Sequence, residues 1–404
     1  MSAVLETRPH ATLQALQAHA DEFTGVRRDI HRHPEMGFQE HRTSALVAER
    51  LTQWGYTVTR GLGGTGVVGQ LRRGTGAKRL GLRADMDALP IHEATGLAHA
   101  SCHDGVMHAC GHDGHTAMLL AAAKHLAEHG DFNGTLNLIF QPAEEGLGGA
   151  VKMMEDGLFA RFPCDAIFGM HNMPGYPAGH LALRDGPAMA SSDYVGITLH
   201  GNGGHGAMPH RAADPVVAAS SLVMALQTVV SRNVDPLQMA VVTVGAFHAG
   251  EANNVIPPHA TLRLSVRALD RDVRTLLQRR ITELAQQQAA SFGCTAEVEY
   301  RPGYCVLVNT RAETDFARKV ALELVGPGRV TLQAPALPGS EDFAFMLEKV
   351  PGSYLLIGNG DGTDGAGFAG HACMVHNPGY DFNDASLPVG AAYWALLAER
   401  FLVD

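Results

Sequence analysis

The sequence predicts an α/β protein with a mostly parallel sheet, into which a smaller α+β unit is inserted. Strand-like and helix-like patterns alternate through roughly the first 180 residues. A strand-helix-strand-strand-helix-strand order follows, which is typical of a small open-faced sandwich. The α/β pattern then resumes after Pro302. We therefore expect one unit over 1–187 and 300–404, and a second unit over 188–299.

Each element of the first unit is predicted from apolar spacing and from residues that end a helix or strand. Gly55 and Gly130 are expected to end helices, and Pro142 is expected to end a strand. The predicted order is a helix over 40–54, strands over 65–71 and 79–85, a helix over 115–129, a strand over 135–141, a helix over 149–156 and a strand over 165–171.

The elements of the inserted unit and of the C-terminal part are predicted from the same kinds of signal. Pro215 suits the first turn of a helix, and Asp270 suits a helix N-cap. The predicted strands cover 193–200, 239–247, 260–268, 294–300 and 354–357. The predicted helices cover 212–231, 270–291 and 385–401, with two more that begin at 310 and 341.

Composition excludes several classes of protein. The formal charge is −10, and no dense Lys/Arg run indicates a nucleic-acid partner. Residues 1–8 lack the apolar core of a signal peptide, and we expect no apolar run of membrane-spanning length. Six scattered cysteines favour a reduced, cytoplasmic protein over a disulfide scaffold.

The segment from His108 to His115 carries three histidines, a cysteine and an aspartate. Cys110 and His112 can face one point only if the backbone bends, which Gly111 and Gly114 permit. A thiolate with an imidazole is a chelating pair for zinc or another late divalent metal. The segment therefore predicts a metal site, although a polar histidine-rich loop has the same composition.

Three predicted strands end in polar residues of related chemistry. The strand over 79–85 leads to Asp85 and Asp87, the strand over 135–141 leads to 141–146, and the strand over 165–171 ends at His171. Ligands of open α/β sheets gather at the carboxyl ends of strands. We therefore expect these residues to meet at one rim of the sheet.

Glu144 and Glu145 are adjacent carboxylates that follow a strand and a proline. Neighbouring side chains on extended or turning backbone point in different directions. One carboxylate can therefore bind a metal while the other carries a proton. The alternative is an exposed acidic turn.

Two choices remain open from the residues alone. Asp87 is expected to orient a ligand by hydrogen bonding, but Asp85 fits the same role. His376 and His371 compete for a final ligand position, and His376 is preferred because His371 lies in a glycine-rich loop.

The inserted unit carries three candidate residues. His205 lies in the glycine-rich segment 201–207, which suits a mobile lid that completes a site on closure. Asn254 offers amide donors, and Arg267 offers a bidentate fork for a carboxylate. The alternative for 201–207 is an ordinary surface turn, and the alternative for Arg267 is an ordinary surface arginine.

Together these motifs resemble the hippurate hydrolase and auxin-conjugate amidohydrolase branch of the dinuclear metallopeptidases. That superfamily also contains aminoacylase and glutamate carboxypeptidase. The resemblance covers nearly the whole chain. The segments that carry it are 31–38, 82–90, 108–115, 141–146, 169–172, 203–210, 254–257, 340–343 and 376–384.

The resemblance implies two divalent metal ions per subunit, of zinc, manganese, cobalt or nickel. It implies a phosphorylase/hydrolase-like catalytic domain and a ferredoxin-like lid and dimerisation domain. Asp85 replaces a histidine ligand of more distant relatives, so whether it touches metal is left open. The implied metal ligands are Cys110, His112, Glu145, His171 and His376, and the implied general base is Glu144. The resemblance also implies that His205 and Asn254 reach the partner subunit's site and that Arg267 helps to hold the substrate carboxylate.

The expected activity is hydrolysis of an N-acyl amino acid, by a homodimer or homotetramer that forms through the lid. A dipeptidase or carboxypeptidase would use the same residues on a different substrate. A metal-binding or storage module without turnover, and a redox role for Cys110, are further alternatives. No nucleic-acid or membrane partner is expected.

Overall fold

The computed structural model describes residues 10–363 and 369–403. Its helices are Ala11–Gln17 (α1), Ala20–Arg32 (α2), His41–Gln53 (α3), His112–His129 (α4), Gly149–Glu155 (α5), Leu158–Arg161 (α6), Pro215–Asn233 (α7), Arg271–Ser291 (α8), Arg311–Val325 (α9), Phe343–Leu347 (α10) and Leu387–Phe401 (α11). Its strands are Thr57–Leu62 (β1), Gly66–Arg73 (β2), Arg79–Asp85 (β3), Gly134–Gln141 (β4), Ala166–Pro174 (β5), Leu181–Ala182 (β6), Gly186–Met189 (β7), Asp193–His200 (β8), Gly204–His205 (β9), Ala240–Ala249 (β10), Val255–Ile256 (β11), His259–Ala268 (β12), Thr295–Pro302 (β13), Leu307–Asn309 (β14), Val330–Thr331 (β15) and Gly352–Gly360 (β16).

The chain folds into two compact units. The first comprises Met1–Gly186, Val308–Pro335 and Phe345–Asp404, and the second comprises Pro187–Leu307 and Ala336–Ala344. The second unit therefore extends past residue 299, because β13 stays paired with β8 as far as Pro302. Each unit has its own buried apolar core.

The first unit is built on an eight-stranded sheet of order β1-β2-β4-β3-β5-β16-β6-β15. Its centre is parallel, since β3 pairs in parallel with both β4 and β5, and β16 pairs in parallel with β5. Antiparallel pairs flank this centre on both sides. The α/β class with a mostly parallel sheet is thus confirmed, and β4, β3 and β5 lie side by side as the strand-end argument requires.

Helix α4 is buried nearly all round, which explains why its apolar run 117–123 shows no polar face. It packs against α11, where the side chain of Met118 lies over Gly390. A Cβ atom placed at Gly390 would lie 2.1 Å from Met118 Sδ, so a larger residue there would require this side chain to move.

The second unit has a four-stranded antiparallel sheet of order β10-β12-β8-β13. Helices α7 and α8 cover one face of it, and the core between them is apolar. Alternate residues of β8 and β12 are buried, as expected of strands with one covered face. The open-faced α+β sandwich is confirmed.

Aspartate caps set where both of these helices begin. Asp270 accepts hydrogen bonds from the backbone of Asp272 and Val273, as predicted. Asp214 caps α7 in the same way, so α7 begins at Pro215 rather than at residue 212.

Other boundaries differ from the sequence prediction. The helix expected from residue 341 is the five-residue α10, which begins at Phe343. Helices α1 and α2 and strand β1 were not predicted. Helix α2 is amphipathic, with Phe23, Val26 and Ile30 buried, so its apolar spacing was available as a signal.

The expectation that no segment has membrane-spanning length is wrong for α7. This 19-residue helix has a mean hydropathy of 1.3 over its most apolar 18 residues, and 33% of that stretch is buried within the chain. Its buried side chains include Ala218, Leu222, Leu226 and Val229, at helical spacing in the core of the second unit. Such packing is also typical of the core helix of a folded domain.

Candidate metal centre

Polar residues at the ends of the central strands meet as the sequence predicts. Strand β3 lies between β4 and β5, and Asp85 pairs with Gln141 at the carboxyl ends of their strands. Helix α4 begins at His112, immediately beside these ends. The cysteine, histidine and glutamate candidates of the first unit therefore converge on one rim.

The bend between Cys110 and His112 is made by Gly111. Its φ of 89° lies in the left-handed region, and it is the N-cap of α4. A Cβ at this position would also lie 2.3 Å from Asn172 Oδ1. Gly114, by contrast, does not bend the chain: it lies inside α4 and leaves room for the ring of Phe382.

All five predicted metal ligands lie in overlapping groups whose ligand atoms are within 4.8 Å of one another. One group is Cys110, His112 and His171, and another is Cys110, Glu145 and His376. Cys110 Sγ lies 3.3 Å from His171 Nε2. His376 Nε2 lies 3.1 Å from Glu145 Oε1. Two groups that share a thiolate fit two neighbouring divalent ions.

Hydrogen bonds fix the two buried imidazoles in a metal-binding tautomer. His171 Nδ1 donates to the carbonyl of Asn172 at 2.6 Å. His112 Nδ1 donates to Asp87 Oδ1 at 3.2 Å. Carbonyl and carboxylate oxygens only accept, so both rings present Nε2 to the cluster. His112 Nε2 has no hydrogen-bond partner although the residue is 1% exposed, as expected of an atom that a metal would satisfy.

The carboxylates of the cluster favour positive charge among them. Burial alone would lower the pKa of His112, but Asp85, Asp87 and Glu145 raise it to about 10. Burial and then Glu145 and Glu144 raise the pKa of the Cys110 thiol well above its usual range. Carboxylates that disfavour a thiolate stabilise a divalent cation in the same place. The donor set therefore fits a late divalent metal.

The structure separates the roles of the two aspartates. Asp87 contacts two predicted ligands: it accepts from His112 Nδ1 and, at 2.9 Å, from the backbone N–H of Glu145. Asp85 Oδ1 lies instead 2.6 Å from His115 Nδ1. Its other oxygen accepts from Arg83 at 2.6 Å and is 3.8 Å from His112 Nε2. These contacts favour Asp87 over Asp85 as the residue that would orient His112.

Replacing Asp87 by asparagine should weaken divalent metal binding by about 10–100-fold, because the orienting carboxylate of His112 is lost. Metal titration of the chelated protein measures this effect. Asp165→Asn is a matched control, since Asp165 binds exposed Arg79 and should leave the affinity unchanged. An unchanged affinity in Asp87→Asn would contradict the orienting role.

The sequence alone assigned no role to three residues around Asp85. Arg83 and His115 contact Asp85, and Asn172 contacts His115 Nε2 through Oδ1 at 2.7 Å. Burial opposes ionisation of Asp85, but His112, Arg83 and His115 hold its pKa well below the usual range. Arg83 and Asn172 lie within two positions of the strand-end residues Asp85 and His171, whereas His115 is on α4, one turn from His112.

Glu144 is buried at 6% exposure beside this cluster. It belongs to a further group of possible ligands with His112 and Glu145. The preceding Ala143 has a φ of 53°, which is uncommon for a residue with a Cβ atom. The backbone N–H of Ala143 donates to Glu40 Oε1 at 2.8 Å, which stabilises this turn. The turn directs two consecutive carboxylates towards His112.

The C-terminal choice is between His376 and His371. His376 faces Glu145, whereas His371 Nε2 lies 3.4 Å from Asp381. His376 also has left-handed backbone, with a φ of 68°, and its N–H donates to the carbonyl of Ala109 at 2.7 Å. This bond joins the His376 segment to the Cys110 loop, and the arrangement favours His376 as the ligand.

The candidate residues of the second unit fall in two places. Strands β9 and β11 pair antiparallel, with His205 opposite Val255, and Gly206 donates to the carbonyl of Asn254 at 2.8 Å. His205 and Asn254 are therefore neighbours in a short ladder rather than parts of a free loop. Arg267, near the end of β12, donates to the carbonyl of Pro338 at 3.1 Å.

Known proteins resemble this chain over most of its length. Hippurate hydrolase of Campylobacter jejuni is 46% identical over 381 residues, covering 94% of this chain and 97% of the relative. N-acetyl-L-cysteine deacetylase of Bacillus subtilis is 38% identical over 385 residues, covering 94% and 88%. IAA-amino acid hydrolase ILR1-like 2 of Arabidopsis thaliana is 42% identical over 385 residues, covering 94% and 85%.

The fold has close counterparts among solved structures. A dinuclear metal-binding peptidase of the M20 family from Bacillus subtilis superposes with a TM-score of 0.81 at 34% identity, covering 96% of this chain and 99% of that one. The family model described as peptidase family M20/M25/M40 matches residues 81–400. The chain is therefore a hydrolase of amide bonds, and it belongs to the peptidase family M20/M25/M40.

Proposed function

We propose that this protein is a metal-dependent amidohydrolase that cleaves N-acyl amino acids, such as hippurate, into a carboxylic acid and a free amino acid. The observation that carries the proposal is the convergence of Cys110, His112, Glu145, His171 and His376 beside Glu144. The hippurate, N-acetylcysteine and auxin-conjugate hydrolases among its relatives support this substrate class.

The reaction needs a strong nucleophile and stabilisation of oxyanion charge. Two divalent cations held by the five ligands would supply Lewis acidity, which makes water more acidic and the amide carbonyl more electrophilic. Glu144 accepts a proton from the attacking water and donates it to the leaving amine. His205 reaches the partner subunit's site and donates a hydrogen bond to the developing oxyanion there. Asn254 reaches the same site, and Arg267 helps to hold the substrate carboxylate.

The metal is proposed to be zinc, manganese, cobalt or nickel, two ions per subunit. A thiolate and imidazoles favour late transition metals over magnesium or calcium. The second unit is proposed to be a lid and dimerisation domain, and the first unit is proposed to be the catalytic part. Association of this unit into a dimer or tetramer is proposed with it.

A peptidase with the same centre is the second candidate. Thermostable carboxypeptidase 1 of Saccharolobus solfataricus is 38% identical over 381 residues, covering 93% of this chain and 94% of the relative. A panel that compares hippurate and N-acetyl amino acids with dipeptides separates the two. Preference for N-acyl substrates in kcat/KM supports our proposal, and preference for dipeptides supports the peptidase.

The non-hydrolytic alternatives fit less well. A storage module has no use for the buried Glu144 beside the ligands. A redox cysteine needs a lowered thiol pKa, whereas burial and neighbouring carboxylates raise that of Cys110. None of the six cysteines, all of which lie in the described part of the chain, forms a disulfide, and this supports the cytoplasmic location that we propose.

Replacing His205 by alanine should lower kcat by about 10²–10³-fold with unchanged metal content, because one oxyanion donor is lost. Steady-state hippurate hydrolysis measures kcat, and elemental analysis measures the metal content. His200→Ala is a matched control, since this exposed histidine of the same unit lies 3.8 Å from Glu297. A normal kcat in His205→Ala would remove the residue from the mechanism.

A further inference from the structure

Arg27 is a fully buried cation beside the metal centre, and its side chain is 0% exposed. Its Nη1 donates to Asp381 Oδ1 at 2.8 Å and lies 3.4 Å from Asp113 Oδ2. Its Nε donates to Asp384 Oδ1 at 2.8 Å. One guanidinium of α2 therefore joins three carboxylates from two segments that are far apart in sequence.

These carboxylates belong to the two segments that carry separate metal ligands. Asp113 is in the first turn of α4, next to His112. Asp381 and Asp384 lie in the segment that follows His376. We propose that Arg27 is a positioning residue, which holds these segments so that His112 and His376 can serve the same metal centre.

The segment of His376 needs such a support. The left-handed backbone of His376 is disfavoured for a residue with a Cβ atom, and its side chain is 51% exposed, so packing alone does not fix it. The bond from its N–H to Ala109 holds one end of the segment. Arg27 and Asp381 hold the other end, where His99 Nε2 also lies 3.1 Å from Asp381 Oδ1.

The geometry of arginine is essential to this role. Its planar fork presents several N–H donors in fixed directions, so it can engage carboxylates on both segments at once. Lysine would keep the charge but act as a point donor on a flexible stem. Arg27→Lys should therefore keep the buried positive charge but lose some of the hydrogen bonds that connect α4 to the C-terminal segment.

This inference rests on the proposed function and is tested on the full-length protein. Wild type and Arg27→Lys are chelated and titrated with Zn²⁺ or Mn²⁺, and hippurate hydrolysis is followed at each metal concentration. We expect the metal Kd to rise by about 10–100-fold in Arg27→Lys, with kcat recovering at saturating metal. Recovery by metal distinguishes positioning from loss of fold.

Two controls match the substitution. Arg28 is the next residue on α2 and also binds Asp384, but its side chain is 50% exposed, so Arg28→Lys should keep the wild-type Kd. Arg274 contacts buried Asp193 through two nitrogens in the other unit. Arg274→Lys should lower the melting temperature without a change of metal Kd.

The outcomes separate this inference from the proposed function. An unchanged Kd in Arg27→Lys, or an equal rise in Arg274→Lys, would overturn the positioning role while wild type still hydrolyses hippurate. Wild type that neither binds metal nor turns over would overturn the proposed function itself. If Arg27→Lys does not fold, Asp381→Ala removes the acceptor of the Arg27 Nη1 bond and should raise the Kd in the same way. An unchanged Kd in Asp381→Ala overturns the inference.

Discussion

Replacing Glu144 by glutamine is expected to lower kcat for hippurate by about 10²–10⁴-fold, the range that general acid–base catalysis contributes. The amide keeps the size of the side chain but cannot accept the proton of water. Glu144 is buried beside His112 and Glu145, and the proposed ligands are left intact. Metal content and melting temperature should therefore stay near those of wild type.

The test combines steady-state kinetics with elemental analysis of the same preparation. Glu155→Gln is the matched control, because this exposed glutamate pairs with Lys152 on α5 and should change neither quantity. A Glu144→Gln protein with a near-normal rate would exclude Glu144 as the base. Loss of metal together with rate would instead make Glu144 a ligand.

Replacing Cys110 by serine should have the other large effect, because the thiolate is shared by both ligand groups. A hydroxyl is a much poorer ligand for late divalent metals than a thiolate. The metal Kd should therefore rise by more than the ~10–100-fold that is typical when an outer hydrogen-bonding partner is lost. Hippurate hydrolysis should fall with metal occupancy.

Cys164→Ser provides the comparison for this substitution. Cys164 is a free, partly buried cysteine whose thiol donates to the carbonyl of Phe162, outside the metal centre. The Cys164→Ser variant should bind metal with the same affinity as wild type. Equal metal affinity in Cys110→Ser and wild type would contradict the assignment of Cys110 as a shared ligand.

The sheet and the ligand rim could be predicted because they follow from local patterns. The predicted strand over 79–85 is β3, and its neighbours β4 and β5 are the two strands whose ends were expected beside it. The carboxyl-end rule then brings Asp85, Glu145 and His171 to one edge without knowledge of side-chain contacts.

The features that the sequence did not predict depend on tertiary contacts. Asp85 and Asp87 have the same chemistry and the same strand end, and only the placement of His112 and His115 distinguishes them. Arg27 lies on a helix that was not predicted, and its carboxylate partners are more than 80 residues away in sequence. Such long-range ion pairs leave no periodic signal.

The backbone conformation of two site residues was also hidden. Ala143 and His376 take positive φ values, which their residue types do not favour. Non-glycine residues in this region persist only where surrounding contacts enforce them, and such residues cluster at functional sites. Here the carboxylate of Glu40 accepts a hydrogen bond from the N–H of Ala143, and the carbonyl of Ala109 accepts one from the N–H of His376.

The central claim is that Cys110, His112, Glu145, His171 and His376 hold the metals on which amide hydrolysis depends. The most direct measurement is hippurate hydrolysis by purified protein before chelation, after chelation and after addition of Zn²⁺, Mn²⁺, Co²⁺ or Ni²⁺, with metal counted at each stage. We expect two ions per subunit, loss of activity on their removal and recovery with at least one of these metals. Undiminished hydrolysis by metal-free protein would contradict the account.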